Sequence, residues 1–267
     1  MRNNILLISL LISLFSSCRS ETDRNIQTAK DYMLITNKLL SVVPHVIYSS
    51  QDSIVLKSLL QSQIDTNNTC ATYNLINGDT LSMLDSIVYD IDFGFGCSDS
   101  DQVYKIGIIT CAIDSYLNNS NGKCNVEFDG LQVGGYFLWG GVEINTIFAS
   151  SYEIITKNLR LQSGKDIVVF QDTLICNIQN GIVTTDYMLD DEYLISSSGM
   201  LIDRDNFVGN GISNNLYKKS SCSWISSGIL EIETDESKKY VINCGDKYCD
   251  NEAVIELNGE NYIISMP

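Results

Sequence analysis

The sequence predicts an all-β protein, mainly an antiparallel extended sheet or meander, with an N-terminal helical segment. Three observations predict it. From Cys70 onward, short runs alternate apolar with polar residues, as in Leu230–Thr234, Tyr240–Cys244 and Ala253–Leu257, and a period of two means a strand with one dry face and one wet face. Asn77-Gly78 and Asn258-Gly259 punctuate these runs, and the second pair supplies the residue types of a two-residue type I′ hairpin turn. Only two prolines occur in 267 residues, so little interrupts a ladder of strands.

Taken in order, the chain opens with a weakly basic Met1–Asn4 and a short apolar run, Ile5 to Phe15. That run is too short to span a bilayer as a permanent helix but suits a signal peptide, assigned here to residues 1–17. Leu14-Phe-Ser-Ser-Cys18 follows and resembles a bacterial lipobox, in which the cysteine is acylated and becomes the first mature residue; Phe15 departs from the usual pattern. Residues 18–23 then form a lipid-anchored tether. Within 24–64, Ile26, Ala29, Met33, Thr36, Leu40 and Val43 recur at helical spacing, with Lys30, Asp31, Asn37 and Lys38 on the other side. Pro44 is expected to end that helix, and Ser53–Ile64 gives a second, short one.

The β domain is read over 70–267. Its expected strands are Cys70–Ile76, Ser86–Phe93, Tyr104–Asp114, Lys123–Val133, Glu143–Ser150, Tyr152–Leu161, Asp166–Asn177 and Gly181–Asp186, followed by the runs of the last third. No interior stretch rich in Gly, Ser or Pro marks a linker. The helical segment and the sheet are therefore read as packing together.

Composition narrows the partners. A formal charge of −16 repels phosphate backbones and anionic headgroups, which argues against nucleic acid and against a polybasic membrane contact. Setting Cys18 aside leaves eight of the nine cysteines: Cys70, Cys97, Cys111, Cys124, Cys176, Cys222, Cys244 and Cys249. An even number in an exported chain points to as many as four disulfides, whose connectivity spacing alone does not choose. A zinc site is a poor rival, because no C-x-x-C occurs and the single histidine, His45, is remote from the cysteines in sequence.

Several signatures now coincide: Cys70-Ala-Thr-Tyr, Asp90-Ile-Asp-Phe-Gly-Phe-Gly-Cys97, Lys105-Ile-Gly-Ile-Ile-Thr, Glu127-Phe-Asp, Cys222-Ser-Trp-Ile-Ser-Ser-Gly, Asn243-Cys-Gly-Asp-Lys-Tyr-Cys249-Asp-Asn and Asn258-Gly-Glu-Asn-Tyr. In this order they resemble an uncharacterised family of all-β envelope lipoproteins of Bacteroidetes, from about Cys70 to the C-terminus. The resemblance implies an envelope lipoprotein and pairing of Cys70 with Cys97 and of Cys222 with Cys249. It brings no catalytic residue and no cofactor. The cysteines at 111, 124, 176 and 244 depart from the pattern and invite two further bridges, Cys111–Cys124 across a hairpin and Cys176–Cys244. Asp52-Ser-Ile54, Asp79-Thr-Leu81, Asp85-Ser-Ile87 and Asp172-Thr-Leu174 are also similar to the O-glycosylation acceptors of that phylum, though so short a pattern is more often met as plain polar positions in turns and strand edges.

Candidate chemistry is sparse. His45 follows Pro44 at a helix end with no G-x-S-x-G elbow in the chain, so it is read as a bystander rather than a general base. Asp90 with Asp92, and Asp190-Asp-Glu192, are the carboxylate groupings a glycan hydrolase would need, but such groupings are expected among thirty-three acids. Ser98–Asp101, Asp203–Asn206 and Asp246–Glu252 offer oxygen ligands for calcium without the spacing of a known loop, and no metal site is assigned. Phe137 and Trp139 project from one face of the aromatic stretch Tyr136–Trp139 and are read as core rings rather than a stacking surface. The resulting expectation is a lipid-anchored protein of the cell envelope, at the outer membrane's periplasmic face or the cell surface, with no cofactor. Its role is read as non-catalytic binding or structure, with an envelope protein or a glycan as partner. The alternative is a carboxylate-dependent glycan hydrolase.

Overall fold

The computed structural model describes residues 20–61, 70–81, 86–180, 190–234 and 239–266. Helix α1 spans Glu21–Leu40. It starts three residues before the expected boundary because Ser20 caps it: the Ser20 Oγ accepts from the Asp23 amide at 3.1 Å, and Glu21 and Asp23 complement the positive end of the helix. Pro44 does not simply end a helix. It stands in the first turn of α2 (Val43–Ser49), where its missing N–H is one of the donors left without an intrahelical partner in any case. Helix α3 (Ser53–Gln61) is capped by Asp52, whose Oδ1 accepts from Ile54 and Val55, both at 2.8 Å.

The strands are β1 (Thr72–Asn77), β2 (Ile87–Asp92), β3 (Cys97–Ser98), β4 (Tyr104–Ile106), β5 (Ile108–Ser115), β6 (Lys123–Val133), β7 (Tyr136–Phe148), β8 (Ser151–Ser163), β9 (Asp166–Asn180), β10 (Glu192–Ile202), β11 (Val208–Lys219), β12 (Ser227–Thr234), β13 (Lys239–Asp246), β14 (Glu252–Leu257) and β15 (Glu260–Ser265). They make one antiparallel meander in the order β1-β2-β5-β6-β7-β8-β9-β10-β11-β12-β13-β14-β15, with the short β3–β4 hairpin attached to β6 through β4. The turn between β14 and β15 has positive φ at both Asn258 (56°) and Gly259 (82°), as a type I′ turn requires. The expected strand at Gly181–Asp186 lies outside the described residues.

The sheet curls around α1. Every residue from Asp31 to Leu40 is buried, and the helix is touched by β9, β10, β11 and β14. Of the residues on the other side of this helix, Asp31, Asn37 and Lys38 are buried like the apolar residues opposite them. Each has a partner from the surrounding structure. Arg204 forks onto the Asp31 carboxylate, Asn37 Oδ1 accepts from the Ile225 amide at 2.9 Å, and Lys38 lies over the Tyr136 ring. Tyr32 sets how closely the helix approaches. Its ring meets Phe170 edge-on, and a side chain at Gly211 would collide with it. Burying one such aromatic side chain stabilises the fold by about 2–3 kcal/mol.

The expected Cys70–Cys97 and Cys222–Cys249 disulfides are both present. The other four cysteines are buried free thiols, and neither Cys111–Cys124 nor Cys176–Cys244 is bridged. The register explains the first correction. Cys111 lies opposite Val126 and Cys124 opposite Ile113, so the two are diagonal neighbours whose backbones stand about 7–8 Å apart, beyond the usual reach of a disulfide, although the thiols themselves come close enough to hydrogen-bond. Cys176 is on β9 and Cys244 on β13, four strands along the sheet.

Candidate functional site

The most built feature of the surface is a crease across the outer face of β6, β7 and β8. Each strand slips by a β-bulge at the same level, between Asp129 and Leu131, between Trp139 and Gly141, and between Ile155 and Leu159. A bulge bends its strand and sharpens the local twist, so three in line fold the face inward. Gly140 (φ 94°) and Asn158 (φ 51°) carry the bulges on β7 and β8. A side chain on Gly140 would strike the Asn158 carbonyl, which is why this position needs glycine. The hollow at Trp139 measures about 520 Å³ and is lined by Glu127, Asp129, Trp139, Lys157 and Asn158 among others.

Two rings stand on this face. Phe137 is 42% and Trp139 38% exposed, while Leu138 between them is fully buried. Both rings share one face, as the alternation predicts, but that face is the wet one, so the expectation of core rings is corrected. The indole lies against Gly130, where a side chain would press on the ring at 3.0 Å. The register sets polar side chains beside each ring. Gln132 and Gln162 flank Phe137, and Asp129 and Arg160 flank Trp139. The side chains of Glu127, Asp129 and Arg160 have no hydrogen-bond or ion-pair partner among the described residues. Glu143, one row further on, is engaged by Lys157 at 2.7 Å and Lys123 at 3.0 Å. The Lys157 contact foremost, then Asn145 and Lys123, hold its carboxyl down at about 2.

A second polar cluster lies inside, where the α1–α2 junction meets the loop after β3. His45 Nε2 is 2.7 Å from Asp99 Oδ2, and Lys105 Nζ is 2.9 Å from both Asp99 Oδ1 and Asp101 Oδ1. Burial works to raise the Asp99 pKa, but the His45 contact and the Lys105 charge outweigh it, so the carboxyl sits far below its ordinary range. Lys218 donates to the Cys222 carbonyl, and burial pulls its ammonium down to about 8. The hollow beside these groups holds only about 20 Å³, room for a single water. This cluster joins elements together and has no space for a substrate.

The remaining sequence candidates are dispersed. Cys18 and Asp85 lie outside the described residues. Asp90 accepts from the Thr110 hydroxyl at 2.8 Å, and Asp92 caps its own turn through the Gly94 amide at 2.7 Å. Asp191 accepts from the Tyr193 hydroxyl at 2.8 Å, and Glu192 pairs with Lys219 at 3.3 Å. Asp203 binds the Asp205 and Phe207 amides and the Thr28 hydroxyl. Among the described residues no group of three or more His, Cys, Asp or Glu is placed to hold a metal ion. Asp172-Thr-Leu174 sits mid-strand in β9, with Asp172 turned inward. No family model, curated protein or solved structure matches the chain.

Proposed function

We propose that this chain is a lipid-anchored envelope protein that binds glycans, without catalysis, on the creased outer face around Trp139. The observation that carries the reading is the pair of half-exposed rings, Phe137 and Trp139, each flanked in register by planar hydrogen-bonding side chains. A sugar offers an apolar C–H face for stacking on an aromatic ring and a rim of hydroxyls for amide, carboxylate and guanidinium groups. Glu127 and Asp129, the carboxylates nearest the indole, are both exposed. A glycosidase acid instead needs an apolar surround to keep its proton near neutrality, which favours binding over hydrolysis. The lipobox-like Leu14–Cys18 and the two disulfides support an oxidising, extracytoplasmic home.

The test compares wild type with Trp139→Ala on immobilised glycans, with thermal melting as the control for folding. Wild type should bind and the variant should lose at least about tenfold in affinity at an unchanged melting temperature, since the ring is already part-exposed. Failure of the wild-type protein to bind any glycan, with Trp139 crosslinking to an envelope protein instead, would overturn the reading.

A further inference from the structure

The crease does not end at Trp139. A second depression of about 300 Å³ continues from Trp139 and Asn158 past Arg160 to Ile167, and a third of about 540 Å³ runs from Lys157 and Asn158 to Thr173 and Ser198. Each shares Asn158 with the hollow at Trp139, so the three adjoin at the β8 bulge as a channel branching about Asn158. They reach from β6 to β10, five adjacent strands, a span of about 19 Å at the usual strand spacing of about 4.8 Å. Volumes of roughly 300–1,000 Å³ each hold one small ligand. Three linked hollows of that size fit a ligand built of repeating units better than a single ring.

Charge narrows the ligand further. The free groups beside the indole are of both signs, Asp129 on one side and Arg160 on the other, so the channel presents an acceptor and a donor rather than a field of one sign. The chain as a whole stands at −16 and repels a polyanion. The far end, at Thr173 and Ser198, offers hydroxyls, which are neutral partners for neutral hydroxyls. Resting on the glycan-binding reading above, we infer that the ligand is a neutral oligosaccharide of three or more units that crosses the strands along this channel from β6 to β10.

The experiment titrates the full-length protein with chito-, cello- and manno-oligosaccharides of one to six units, and with oligouronates of the same lengths. In at least one neutral series, affinity should rise at least tenfold from the monosaccharide to the tri- or tetrasaccharide and then level off. Ser198→Tyr, which fills the far end of the channel, should cancel that rise. Equal affinity at every length, still abolished by Trp139→Ala, would reduce the site to one ring and overturn the inference while leaving glycan binding intact. Tight binding confined to the oligouronates would do the same. Absence of binding in all four series would overturn the inference and the glycan reading together.

Discussion

Asp172 lies on β9 with its carboxylate turned toward the helix. Its Oδ2 accepts from the Tyr32 hydroxyl, and its Oδ1 has no partner among the described residues. Burial is the largest influence on it and lifts its pKa to about 6, against the opposing pull of the Tyr32 hydrogen bond. A folded-state value above the unfolded one means that Asp172 favours the fold most fully below the ordinary carboxylate pKa of about 4, and that this share is lost as pH rises through about 6. A shift of this size corresponds to about 2–3 kcal/mol. Asp172→Asn keeps an acceptor for Tyr32 and removes the charge. Urea midpoints should therefore show the variant gaining on wild type by up to that amount at pH 7.5 and little at pH 4. A gap that is the same at both pH values would mean that Asp172 does not titrate in this range. Asp99 has the opposite sign: with its folded pKa depressed, its contribution is present above pH 4 and lost as acid protonates it.

At the level of elements, the join between the helices and the β3–β4 excursion rests on Lys105, which is fully buried between Asp99 and Asp101. Lys105→Met leaves two enclosed carboxylates without their cation and should cost about 3–5 kcal/mol, read as a fall in the urea midpoint. Gly211→Ala tests the helix seat, because the added methyl meets the Tyr32 ring; a loss of about 1–3 kcal/mol is expected by chemical denaturation. Some of these elements were legible in the residues alone. Lys123–Val133 was read with the boundaries β6 has, and the Asn258-Gly259 turn was plain, because alternation and turn chemistry there agree. The β10–β11 hairpin was not legible. Ser196-Ser-Ser-Gly199 and Gly209-Asn-Gly-Ile-Ser-Asn-Asn215 are poor strand formers by propensity and pair because strands on both sides hold them. The crease was hidden for a related reason. Bulges are set by register between strands, and nothing in Gly140-Gly141 alone reveals that Asn158 slips at the same level. Nor does the helical pattern of α1 show that a sheet encloses its polar side too.

For the molecule as a whole, the two cystines each close a loop with a sequence separation of 27 residues, and a loop of that size restricts the unfolded chain by about 3–4 kcal/mol. The thiols give a direct check on the covalent frame. With Cys18 set aside, alkylation in denaturant without reductant should modify four cysteines, Cys111, Cys124, Cys176 and Cys244, and alkylation of the native protein none of these four, as read by peptide mass. No modification under denaturing conditions would mean four bridges rather than two.

The meander carries a consequence for how the molecule comes into being. Along the main path nearly every strand lies beside its predecessor in the chain, and the helix that fills the interior precedes them all. Whichever compartment the chain folds in, the central post is nearest the N-terminus, and each later segment has its neighbour just before it in the sequence. Strand-to-strand growth then closes only short loops, resembling a bandage wound round a finger, and the distant joins left to make are those of the post itself, such as Asn37 with Ile225.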